Sequence, residues 1–207
     1  LELEVTGGSR FLLPDASPEA VRPMQWMVPH FATAEGKLRM SIHALLIRTP
    51  SCSIVVDPCL GNDKQHRKVP HWNNRQGSFL ADLAAAGMPR ESVDYVLCTH
   101  LHVDHVGWNT MWVDGRWVPT FPNARYLFGR IEYEHWATQK EVELAIPVFE
   151  DSVKPVFEAG KVDFVELDHR ICDEVRLIPS TGHTPGHVSI VIESQGEQAL
   201  ITGDIAH

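Results

Sequence analysis

Cys98-Thr99-His100-Leu101-His102-Val103-Asp104-His105-Val106-Gly107-Trp108 is the stretch that decides the fold. Positions 100, 102, 104 and 105 can each bind a metal, and they follow directly on the run Val93-Asp94-Tyr95-Val96-Leu97-Cys98-Thr99. That run has the length and the β-branched and aromatic content of a buried strand. The four groups therefore leave the C-terminal end of a strand, where open α/β sheets form their ligand crevices. With the backbone extended, the imidazoles of His100 and His102 point to one side and can share an ion. Asp104 and His105 come after the turn begins and can aim at a second ion. Two ions about 3.5–4 Å apart make the clamp with which hydrolases hold an attacking hydroxide and a substrate oxygen. A lone histidine would more often be a solvated loop residue. Three imidazoles and a carboxylate at this density need something to coordinate.

His-x-His-x-Asp-His after a strand resembles the signature of the metallo-β-lactamase-fold hydrolases. Two later stretches fit the resemblance in order. Pro179-Ser180-Thr181-Gly182-His183-Thr184-Pro185-Gly186-His187 looks like the second ligand loop, with His183 as ligand, and Thr202-Gly203-Asp204 like the third. The resemblance implies an α/β fold, a four-layer αββα sandwich with the metals between the sheet edges. It implies two divalent ions, zinc first, with iron, manganese or cobalt also suited to mixed nitrogen and oxygen ligation. His100, His102 and His183 would bind the first ion, Asp104 and His105 the second, and Asp204 would bridge them. A shared hydroxide would attack the substrate, and Asp104, as the catalytic residue, or a metal-bound oxygen would pass a proton to the leaving group. The family supplies one more histidine, a strand and a helix, so the reading expects a C-terminal part beyond residue 207. His207 is too close to Asp204 to be that ligand.

The bulk numbers bound the rest. A chain of 207 residues holds one sizeable core. Its net charge of −9 argues against a nucleic-acid partner, and no apolar run approaches a membrane span. Four cysteines, Cys52, Cys59, Cys98 and Cys172, lack CxxC spacing. Buried thiols in a reducing, cytoplasmic setting are expected, with a Cys52–Cys59 pair as the alternative. The chain begins at Leu1, so a removed leader stays open.

Residues 1–35 are proline-rich, which rules out a long helix or a central strand. They read as an arm packed on the hydrolase domain (36–207), on the second copy of a homodimer or over the active-site mouth, with Trp26, Met27 and Phe31 as its contact residues. Ile42–Thr49 and Ser53–Asp57 read as a hairpin. The resemblance gives Asp57 the role of orienting a ligand histidine by hydrogen bond. Lys64–Gly77 reads as a basic loop beside the substrate, Phe79–Gly87 as a helix, and Arg130–Gln139 and Pro147–Ala159 as two more. Asp114-Gly115 marks a hairpin turn. Around it Trp108, Trp112 and Trp117 are core, substrate pocket or dimer contact. Strands are expected at 123–128, 162–167, 175–179, 188–193 and 199–202. His187 reads as a hydrogen-bonded structural histidine.

Within the resembled family, His105 points away from the β-lactam-cleaving branch, and His102 away from the flavin-linked diiron branch. Quorum-signal lactonases resemble the chain broadly, while His207 looks more like the methyl-parathion-hydrolase branch. The expected substrate is a small ester, lactone or phosphotriester. The alternatives are a thioester hydrolase of glyoxalase II type or a sulfur-handling relative, anchored by Arg67, Lys68 and Arg75, and a non-catalytic binding module.

Overall fold

The computed structural model describes residues 1–6, 12–139 and 145–205. The junction at Lys140-Glu141 and the position of His207 lie outside the described residues. The chain divides into two compact units, Leu1–His43 and Ala44–Ile205.

In the first unit, β1 (Leu3–Thr6) pairs antiparallel with β2 (Arg39–Ile42), Leu3 opposite Ile42. The prolines keep the helix α1 (Pro18–Val21) short; it starts with Pro at its first turn and with the Ser17 hydroxyl accepting from the Ala20 N–H. Val21, Ala32 and Leu38 form a small core, with Met27 packed against it. Trp26 and Phe31 are exposed, their rings 6.3 Å apart.

The second unit opens with a hairpin of β3 (Leu45–Arg48) and β4 (Ser53–Val56). The expected strand 42–49 is split, because Ile42 still belongs to β2 and β3 begins at Leu45. Helix α2 (Phe79–Ala85) leads into β5 (Tyr95–Leu97), which lies parallel to β4. Strand β5 stops short of Thr99 because the Thr99 N–H donates to the Asp57 carboxylate, 2.7 Å, instead of to a neighbouring strand. There follow α3 (Val103–Val106) and the hairpin of β6 (Thr110–Val113) and β7 (Arg116–Pro119), closed by Asp114 and Gly115 with positive φ. Next come β8 (Arg125–Gly129) and α4 (Arg130–Thr138). Helical residues Ala145–Val148 (α5) and Lys154–Glu158 (α6) flank a π-helical turn at Phe149–Val153, and β9 (Val162–Val165) follows.

The order β3-β4-β5-β8-β9 makes a five-stranded sheet, parallel except at β3. A three-stranded antiparallel meander, β10 (Val175–Pro179), β11 (Val188–Ser194) and β12 (Glu197–Ile201), faces it. Strand alternation sends Ile54, Val56, Leu97, Leu127 and Val165 from one sheet into one core with Val175, Leu177, Val188 and Ile190 from the other. The other face of the larger sheet, with Val55, Val96, Tyr126 and Phe128, is equally buried, as parallel strands require. Helices cover it: Tyr133 of α4 packs on Phe164 at 4.9 Å and on Phe157 of α6 at 5.3 Å. Among the described residues of this unit, no helix follows β9. The helical layer and the two sheets are thus in place. No described helix is long and apolar enough to cross a membrane.

The expected helix Pro147–Ala159 contains the π-helical turn for a physical reason. Pro155 has no N–H for the Asp151 carbonyl four residues before it. That carbonyl instead accepts from the Thr110 hydroxyl at 2.5 Å and from Lys64 Nζ at 3.1 Å. The Asp151 carboxylate takes Arg67 Nη2 at 2.9 Å, with Lys64 Nζ 3.7 Å away and also 3.6 Å over the Trp117 ring. Lys64 is fully buried and Arg67 nearly so. Under the alternative thioester reading Arg67 would anchor an anionic substrate, but it is spent inside the fold, holding the 64–77 loop to the helix.

Asp151→Ala leaves two buried cations without their carboxylate and is expected to cost about 3–5 kcal/mol, read by urea unfolding. Burial lowers the Lys64 pKa from the ordinary lysine value to about 7, with Asp151 opposing. Above that pH the unfolded chain holds a proton that the folded lysine has released, so this group makes stability rise with pH. Between about pH 7 and about pH 9 the wild type should therefore gain stability relative to Lys64→Met. Equal slopes for both proteins would sink this assignment.

Candidate metal centre

Beyond Leu97 the chain leaves β5, bends at Thr99 and His100, is extended at His102, and then turns into α3. The path departs from the extended backbone expected over 100–102, yet it brings His100 and His102 together with Nε2 and Nδ1 2.9 Å apart. The loop between β10 and β11 adds His183, whose Nε2 lies 2.9 Å from the same His102 Nδ1. After β12, Asp204 Oδ2 comes within 3.4 Å of His105 Nε2 and 3.9 Å of His183 Nε2. Asp104 Oδ2 lies 3.7 Å from His105 Nε2. All six residues singled out in the sequence converge at one end of the two sheets.

Hydrogen bonding fixes the protonation of the first set. Asp57 accepts both the N–H and the hydroxyl of Thr99, at 2.7 and 2.8 Å. With its one proton spent, Thr99 Oγ1 can only accept from His100 Nδ1, 3.1 Å away. His100 Nε2 is then a bare lone pair aimed at His102. His102 Nδ1 faces two imidazole nitrogens at the same distance, and a single hydrogen cannot serve both. Burial, reinforced by the neighbouring histidines, lowers the pKa of His100 strongly and that of His102 to about 4. Three imidazoles with converging nitrogens are a donor set suited to a divalent cation. In the second set, burial would also depress His105. The carboxylates of Asp57, with Nδ1 3.0 Å from Oδ2, and of Asp104 and Asp204 outweigh it and raise its pKa well above the usual value. The ring holds a proton where three carboxylates call for positive charge. The nitrogen and oxygen atoms of His100, His102 and His183, and those of His100, His105 and Asp204, each lie within 4.8 Å of one another. The residues present fit a divalent metal ion.

Supporting groups complete the frame. His187, fully buried, accepts from the Asp204 N–H at 3.0 Å and sits 2.8 Å from Ser180 Oγ. It is a structural histidine, as its sequence context suggested, and it places the third ligand loop. Gly203, at φ +57°, has room for no side chain, since a Cβ would meet His187 Nε2 at 2.6 Å. Trp108 is buried, stacked on Phe79 at 5.1 Å, and belongs to the core. Trp112 faces Trp117 across the β6–β7 turn. The tryptophan that reaches the site is Trp136, 5.2 Å from the His102 ring, which sequence reasoning missed together with its neighbour Glu132. Their spacing of four residues on one helix was the available signal. The four cysteines form no disulfide, so Cys52 and Cys59 are not bridged.

Comparison with known proteins agrees with this architecture. An N-acyl homoserine lactonase of Bacillus cereus is 28% identical over 180 residues, covering 79% of this chain and 62% of that protein. The chain thus spans less than two thirds of its relative's length. The fold matches a probable metal-dependent hydrolase from Staphylococcus aureus with a TM-score of 0.75 at 23% identity, covering 97% of this chain and 69% of that one. It also matches AidC, a dizinc quorum-quenching lactonase, with a TM-score of 0.72 at 20% identity, covering 95% and 67%. Residues 39–207 match the metallo-beta-lactamase superfamily, and the chain belongs to that family.

Proposed function

We propose that this protein is a dinuclear metal-dependent hydrolase that opens a small ester, lactone or phosphotriester, with an acyl lactone as the first substrate to test. The observation that carries the reading is the convergence of His100, His102 and His183 on one point while Asp204 reaches both His183 and His105. His100, His102 and His183 would hold one ion, Asp104 and His105 the other, and Asp204 both. Zinc suits these donors, as do iron, manganese and cobalt. Two such ions supply an acidified water and a polarised carbonyl or phosphoryl oxygen.

The chain's own residues do the rest. Thr99, itself held by Asp57, keeps the proton of His100 on Nδ1 and so keeps Nε2 available. His187 holds the backbone of Asp204 in place. Asp104, in the first turn of α3 beside His105, takes the proton of the attacking water and returns it to the leaving oxygen. The lactonase relative favours the lactone. A thioester reading loses the support of Arg67, whose guanidinium is committed to Asp151.

The test is metal content per chain, with hydrolysis of an acyl homoserine lactone, an aryl ester and an aryl phosphotriester. About two ions per chain, activity lost to a chelator and restored by zinc or cobalt, and a preference for the lactone are expected. Folded protein with neither metal nor turnover would leave a binding module. Asp104→Asn is expected to lower kcat by about 10²–10⁴-fold, with a smaller change in KM. An unchanged kcat would remove Asp104 from proton transfer.

A further inference from the structure

The ligand residues sit on separate segments, so something must fix the distance between the loop after β5 and the loop after β10. Glu132 of α4 is 1% exposed, carries a carboxylate into the interior and belongs to neither ligand set. Its Oε1 accepts the Leu101 N–H at 3.1 Å and the Trp136 indole N–H at 2.7 Å, and its Oε2 accepts the Gly186 N–H at 2.9 Å. Leu101 lies between His100 and His102, Gly186 lies three residues past His183, and the Trp136 ring packs on His102. The bonds that Glu132 accepts therefore end on the two histidine-bearing loops and on the ring that packs against His102.

We propose that Glu132 is a positioning residue for the metal centre, its carboxylate clamping the two histidine-bearing loops at the spacing that lets His183 meet His102. The proposal rests on the metal-hydrolase reading above. A carboxylate is required because three N–H donors point at one buried spot and only an acceptor-only group with two oxygens can take them all. A glutamine would turn an NH₂ against one of these donors, leaving a buried N–H without an acceptor. The close approach is built in: a Cβ on Gly186 would lie 2.5 Å from the Glu132 backbone nitrogen.

The experiment is a cobalt(II) titration of the metal-stripped full-length protein, followed by visible d–d absorption, with circular dichroism as the check on folding. Glu132→Gln should fold and bind cobalt about 10- to 100-fold more weakly, with an altered visible spectrum that a remote structural residue would not change. Trp136→Phe, which removes one donor and keeps the carboxylate, should weaken binding less. If Glu132→Gln does not fold, Glu132→Asp is measured instead, being one methylene too short to reach both loops, and the same weakening is expected. Wild-type affinity and spectrum in the folded variant would overturn the proposal. No cobalt uptake by the wild type would overturn the metal-hydrolase reading and this role with it.

Discussion

The Asp57 carboxylate takes the N–H of Thr99 on one oxygen, and on the other takes the Thr99 hydroxyl and lies 3.0 Å from His105 Nδ1. Three features of the centre follow from that one group. Strand β5 ends where it does because the next amide is captured by a side chain. The His100 tautomer is set because the Thr99 proton is already committed. His105 stays protonated in the interior because a buried anion lies against it. A neutral residue at position 57 would release the strand end, free the tautomer and leave His105 with less reason to be charged. In an interior where an unmatched charge costs several kcal/mol, these consequences are linked.

The same interior is left with more donors to a cation than it has cations. His102 Nδ1 faces two imidazole nitrogens and can satisfy one at most by a hydrogen bond. Asp57, Asp104 and Asp204 surround the His105 imidazolium. Divalent ions would replace that proton and occupy the converging lone pairs. Metal binding would then stabilise the fold and release protons together. The scaffold is arranged to bear this strain: strands buried on both faces, a continuous core between the sheets and loops tied at their backbones by Glu132 and His187.

What the sequence revealed and what it hid divide along physical lines. Strands such as Val175–Pro179 and Val188–Ser194 were legible because alternation is a local consequence of a two-sided sheet. The four candidate ligands at 100–105 were legible because their chemistry and spacing are unusual in any loop, whereas His183 and Asp204 were identified through the resemblance of their stretches to the family's ligand loops. Glu132 was not, since Arg-Ile-Glu-Tyr-Glu-His-Trp reads as an ordinary solvated helix face. Its burial depends on two loops from elsewhere arriving with unpaired amides. Arg67 misled for the converse reason. A basic stretch looks like a site for anions, and only the fold shows Asp151 waiting inside, its carbonyl opened by Pro155. Pro155 was itself visible in the sequence, but its effect on the carbonyl four residues earlier depends on Lys64 and Thr110 being near enough to use it.

Comparing these two buried clusters separates scaffold from site. Lys64, Arg67, Asp151 and Thr110 use one another: the ammonium, most of the guanidinium, the carboxylate and the freed carbonyl are mutually satisfied, with only Arg67 Nε lacking a hydrogen bond. Such a cluster needs nothing further and has no reason to bind anything. His100, His102 and His183 converge their ring nitrogens on one another, and Asp57, Asp104 and Asp204 gather their carboxylates around His105. Polar burial is costly in both places. In the first the protein offsets the cost itself, and in the second it leaves the cost to be met by a bound cation, which is what makes the second a candidate for chemistry.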